Sequence, residues 1–157
     1  IQAYEGLPVG IRDKFQLVLF GFRGFEGSEQ YQYIKDHGLK SIVLLGYVSD
    51  EEKNTLYKNA EVFVFPYLSE GFGIPVLEAY ANGTAVITSN TSSLPEVAGD
   101  AALYVNPSKQ NDLIDAVSKL LEDEELREEL LRKASIQLGK FNWEQTAMQI
   151  RGVLCED

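Results

Sequence analysis

The amino-acid sequence predicts an α/β domain, a parallel sheet with helices on both faces. Three observations carry this. Short runs rich in Val, Ile, Leu and Phe recur along the chain, each is apolar throughout rather than alternating, and segments with helical spacing separate them. A strand that reads as apolar on both sides is covered on both, and an intervening helix supplies the crossover that parallel pairing needs. The 157 residues suffice for one such domain with its own core.

The first run, residues 16–21, is a buried strand that ends in a glycine-containing loop. Residues 28–37 follow with helical spacing, closed by Gly38 as a C-cap. Residues 41–46 are the second strand. Ser49 with Glu52 forms a capping box that opens a short helix to Asn59. Residues 61–65 are the third strand, 66–74 a loop, and a helix starts at Pro75 and ends near Gly83. Residues 85–88 are the fourth strand, followed by a hydroxyl-rich loop at 89–93, and 102–105 are a short fifth. Helices at 109–121, 124–138 and 143–153 finish the chain, the last capped by Asn142. The opening residues, Ile1-Gln2-Ala3-Tyr4-Glu5, read as a helix already under way, which points to a piece of a longer protein.

Composition narrows the function. A formal net charge of −10 argues against nucleic acid and anionic membrane as partners. No apolar run approaches the roughly 20 residues of a membrane span, and no signal-peptide pattern opens the chain. The acidic residues 122–125 with Glu128 and Glu129 read as a solvated helix face. The one cysteine, Cys155, permits no internal disulfide, and the expected compartment is cytoplasmic. The single histidine, His37, suits a helix C-terminus, and with one remote cysteine it makes no zinc site.

In a parallel α/β sheet ligands sit beyond the C-terminal strand ends, here the loops after Phe20, Leu45, Phe65 and Thr88. The third of these carries Ser69-Glu70-Gly71-Phe72-Gly73-Ile74-Pro75-Val76-Leu77-Glu78. Pro75 fits a first helical position, and Ile74 before it cannot cap. The amides of Val76, Leu77 and Glu78 are then expected to lie bare at a positive helix end, a seat for phosphate. Gly71 and Gly73 let backbone approach a ligand, and Glu70 and Glu78 flank the turn with acceptors for sugar hydroxyls. A diphosphate joined to sugars has that layout.

Two other loops are candidates. The glycines at 21, 24 and 27 lack the dinucleotide-loop spacing and read as a flexible crevice edge. The hydroxyls of residues 89–93 either bond phosphate or serve the turn itself. The rings of Phe63, Phe65, Tyr80 and Trp143 read as core.

The segment resembles the Glu-x7-Glu signature of family 4 glycosyltransferases, retaining enzymes of the two-domain GT-B fold. Glu70 and Glu78 carry it, and the text around them agrees: 83–87 (Gly-Thr-Ala-Val-Ile), 93–102 (Ser-Leu-Pro-Glu-Val-Ala-Gly-Asp-Ala-Ala) and 141–144 (Phe-Asn-Trp-Glu). The likeness runs from about Leu17 to Ile150. It implies a Rossmann-like C-terminal domain that binds a nucleotide sugar. Glu70 would be catalytic at the donor sugar, and Gly71, Phe72, Gly73, Ile74 and Leu77 would meet sugar and diphosphate. Glu78 would hold the ribose, and backbone at Val48 the base. The resemblance implies no metal and no cofactor beyond the nucleoside-diphosphate sugar substrate. An Arg and a Lys that neutralise the diphosphate in this family lie after a first strand that would precede Ile1, and the N-terminal acceptor domain would precede it too. Charge stabilisation of the leaving diphosphate rests on such cations, so this piece alone is expected to bind donor weakly and not to turn over. Two alternatives stay open: a nucleotide-sugar 2-epimerase on the same architecture, and a non-catalytic binding module.

Overall fold

The computed structural model describes residues 1–21 and 29–155. In chain order it runs α1 (Gln2–Glu5), α2 (Val9–Arg12), β1 (Leu17–Phe20), α3 (Glu29–Asp36), β2 (Ile42–Gly46), α4 (Asp50–Asn59) and β3 (Val62–Phe65). Next come α5 (Ile74–Ala81), β4 (Ala85–Ser89), α6 (Leu94–Ala98), a 3-10 turn (Gly99–Ala101) and β5 (Ala102–Val105). Three helices close it: α7 (Gln110–Glu122), α8 (Glu124–Leu138) and α9 (Trp143–Leu154). Gly24, Gly27 and Ser28, which the sequence reading places in the glycine loop and at a helix start, lie outside the described residues.

All strand pairs are parallel, as the apolar runs require. The single sheet expected from them is, however, divided: β1 pairs with β2, and β3–β4–β5 form a second group. Among the described residues no ladder joins β1 to β3. The burial follows the division. Every residue of β4 is buried, whereas the residues of β1 and β3 are only half-buried or, at Val18, exposed.

Alternation along β4 builds the core. Val86 faces a cluster with Val76, Ala79, Leu94, Val97 and Ala134, supported by α5, α6 and α8. Ala85 and Ile87 point the other way, onto Val105, Leu120 and Leu130. Each large apolar side chain removed from water here contributes roughly 1.5–3 kcal/mol. Two threonines in this core have partners, Thr84 Oγ1 donating to the Tyr57 carbonyl at 2.6 Å and Thr88 Oγ1 to the Phe65 carbonyl at 3.0 Å, whereas the buried Ser89 Oγ has none among the described residues.

Trp143 corrects the expectation that it is core. It is 83% exposed, and α9 buries none of its residues. Large aromatic rings are ordinarily well buried, but nothing among the described residues covers this one. Phe63, Phe65 and Tyr80 do pack on the core.

Candidate functional site

The site is built on α5. Gly73, at φ +108, is its N-cap, and the helix begins at Ile74, one residue before Pro75. That shift moves the unpaired donors. Val76 N–H donates to the Gly73 carbonyl at 2.9 Å, and a helix from Ile74 takes the amides of Leu77 and Glu78 into its own ladder. The expectation of bare amides at Val76, Leu77 and Glu78 is therefore corrected. Pro75 has no donor, so the amides without a partner among the described residues are those of Phe72, Gly73 and Ile74. They still open the positive end of α5, and the αL turn at Gly73 lets them lie side by side. A Cβ on Gly73 would come within 2.9 Å of Leu94 Cδ2.

Glu70 is fixed by the loop after β4. Ser92 Oγ accepts from the Glu70 amide at 3.2 Å and donates to its carbonyl at 2.6 Å. Ser93 Oγ reaches the carbonyls of Glu70 and Phe72, both at 2.9 Å. Thr91 Oγ1 reaches those of Tyr67 and Leu68. The hydroxyls of Thr91, Ser92 and Ser93 thus bind one loop to another rather than only serving the turn they sit in. Ser92 takes φ +58 to do so, the one non-glycine residue described with a positive φ. The Glu70 carboxylate turns back to accept from the Gly71 amide at 3.1 Å.

Glu78 lies one turn into α5 with its side chain 29% exposed. Its Oε1 accepts from Lys53 Nζ at 2.7 Å and its Oε2 from Tyr57 OH at 3.2 Å. The bond to Glu78 holds the Lys53 ammonium above its ordinary pKa. Burial pushes the Tyr57 phenol up, and the Glu78 charge adds to the rise. Tyr57 is locked by edge-on contacts with Phe20 and Phe63 at 5.9 and 5.0 Å. Val48 sits half-buried just before the Ser49 cap of α4, the helix that sends Lys53 and Tyr57 to Glu78.

A cavity of about 1350 Å³ adjoins this carboxylate. Its walls include all of Leu17, Val18, Leu19 and Phe20 of β1 and all of Val62, Phe63, Val64 and Phe65 of β3. Consecutive strand residues point to opposite faces, so only a strand's edge presents four in a row to one space. The cavity is the slot between the two half-sheets, and Glu78, Ile74, Pro75 and Lys53 line it too. Glu70, Gly71, Phe72, Gly73, Leu77 and Val48 do not. The structure thus brings Glu78 and Ile74 to one open space and holds Glu70 on a separate, braced loop. Lys53 and Tyr57 are the site residues that sequence reasoning missed, and for Ser92 and Ser93 it missed the loop they hold. The one available signal was the Lys53 and Tyr57 spacing, which puts both on one face of α4.

The remaining candidates are quiet. His37 Nδ1 lies 2.8 Å from the Tyr33 carbonyl, its ring stacked on Tyr33 at 4.1 Å. Cys155 is exposed and free. Among the described residues no group of three His, Cys, Asp or Glu side chains converges to hold a metal ion, and no helix is long and apolar enough to cross a membrane.

Parallel strands, the glycine turn and the helix after it place the chain in the parallel α/β class, and comparison with known proteins gives its family. The chain belongs to the glycosyl transferases group 1, whose family model matches residues 1–137. It is 38% identical to O-antigen chain mannosyltransferase B of Escherichia coli over 151 residues, 95% of this chain and 39% of that protein. It is 31% identical to D-inositol 3-phosphate glycosyltransferase of Paenarthrobacter aurescens, over 83% of this chain and 33% of that one. Among solved structures it resembles sucrose-phosphate synthase from Thermosynechococcus elongatus, with TM-score 0.78 and 27% identity over 88% of this chain and 37% of that one. It shares the fold of Anabaena HepE, solved in complex with UDP-glucose, with TM-score 0.83 and 20% identity over 98% of this chain and 43% of that one. The chain therefore spans well under half the length of these relatives.

Proposed function

We propose that the intact protein is a retaining glycosyltransferase and that this chain is its donor-binding domain. The protein would move a sugar from a nucleoside-diphosphate sugar to an acceptor hydroxyl. The observation that carries this is the Glu78 carboxylate, held by two donors beside an open cavity at the head of a helix whose leading amides are unpaired. Glu78 accepts the ribose hydroxyls. The Phe72, Gly73 and Ile74 amides face the diphosphate with the positive end of α5 behind them. Glu70 stands at the donor sugar, with Gly71 and Leu77 bordering it, and backbone at Val48 meets the base. The relatives named as mannosyltransferases make mannose the first sugar to test.

A strand from the remainder of the protein completes the sheet in this proposal. The slot has the length of both strand edges, and a parallel strand there would pair with β1 and β3 together. The cations that neutralise the leaving diphosphate, and the acceptor domain, belong to that remainder. The proposal includes a reaction without a resident metal, checked by turnover in excess chelator, and a cytoplasmic location, in keeping with an unpaired cysteine.

The test uses the full-length protein with nucleoside-diphosphate mannose and glucose donors, the product anomer being read by NMR. Retention is expected. Glu78→Ala should weaken nucleoside-diphosphate affinity about tenfold or more, as loss of charge-assisted hydrogen bonds does. Glu70→Ala should depress turnover more than affinity. An epimer formed from donor alone would establish the isomerase alternative, and no donor binding at all the non-catalytic one.

A further inference from the structure

We propose that Lys53 and Tyr57 are positioning residues that set the ribose selectivity of the site by fixing both oxygens of Glu78. The inference rests on the reading of Glu78 as the ribose acceptor. A carboxylate offers about four lone-pair directions, two on each oxygen. Lys53 occupies one on Oε1 and Tyr57 one on Oε2. One direction per oxygen remains, which suffices for the two vicinal hydroxyls of a ribose. A carboxylate anchored through one oxygen only would rotate about its last bond and present the second at no fixed angle.

The anchor is itself rigid. Lys53 and Tyr57 are one turn apart on α4, which a satisfied capping box starts. The Tyr57 ring lies edge-on between two phenylalanines, and its carbonyl is tied to Thr84 at 2.6 Å. Asp50 shares the Lys53 ammonium at 3.1 Å, but it is almost fully exposed and its bond is the weaker. Lys53 also offsets the charge of Glu78, so the nearby diphosphate does not meet an uncompensated carboxylate.

The experiment measures, on the full-length protein, affinities for a ribonucleoside diphosphate and its 2′-deoxy and 3′-deoxy forms, with a thermal melt of each variant. Wild type should prefer the ribo form about tenfold or more, the worth of one hydrogen bond to a charged group. Lys53→Met and Tyr57→Phe should each remove most of that preference while melting near wild type, and Lys53→Arg should restore part of it. Lys53→Met added to Glu78→Gln should cost no further selectivity, because both act through one carboxylate. Full ribo preference in Lys53→Met and Tyr57→Phe, with loss in Glu78→Gln, would overturn the inference and leave the ribose reading standing. Equal weakening of all three nucleotides in Lys53→Met would overturn it too, as a plain charge effect. Unchanged preference in Glu78→Gln would remove the ribose reading itself.

Discussion

Glu78 is held by side chains 25 and 21 positions away, and that distance decides what a sequence can disclose. The glutamate is legible because it belongs to a local pattern of strand, glycine turn and helix. Its partners are not, because only the packing of α4 on α5 brings them there. The partner of Ser92 is hidden for the same reason, being backbone 22 positions away. Gly73 is legible by type, and the structure adds why no other residue suits. Gly73→Ala combines φ +108 with a 2.9 Å approach to Leu94 and should destabilise by roughly 1–3 kcal/mol in urea titration, with donor affinity falling as the amides move. Thr84→Val keeps the shape but removes one of two donors to the Tyr57 carbonyl, the Ala60 amide remaining, and should cost about 0.5–1.5 kcal/mol.

Elements with a chemical start signal were placed well from sequence. The helix after Ser49 and the one from Glu124 to Leu138 have the predicted bounds, and each begins at a side chain that accepts a backbone N–H. α6 was missed because five residues show no periodicity, and α5 was misplaced by one because a glycine cap carries no side chain to read. The Ser49 box supplies a pH test. Its backbone N–H, bonded at 2.7 Å, holds the Glu52 carboxyl below its ordinary value of 4.5. Folding then favours the ionised form, so the stabilisation is complete above the ordinary value and fades as pH falls through the lowered one. Glu52→Gln should melt lower than wild type at neutral pH, with the two curves merging once pH falls below the lowered value. At the other end, Asn142 accepts from Glu144 and Gln145 to start a helix that buries nothing. Asn142→Ala should reduce helical circular dichroism and leave the thermal midpoint of the domain in place.

For the molecule as a whole, the parallel α/β class was readable because apolar strands and crossovers repeat locally. The division of the sheet was not, since the apolar runs of β1 and β3 carry no mark of which neighbour each pairs with. Amide exchange should report the division. The amides of β4, paired on both sides in a buried strand, should be the slowest to exchange, and those of β1 and β3 that face the slot among the fastest. In the longer protein the slot-facing amides should slow by orders of magnitude while those of β4 change little. Two strand borders that present open donors and acceptors across a gap are also templates for any extended peptide. Kept apart from the rest of its protein, the chain should therefore recruit copies of itself through those borders. Light scattering that grows with concentration despite the repulsion of a −10 charge, and that vanishes for the longer protein, would record this self-association.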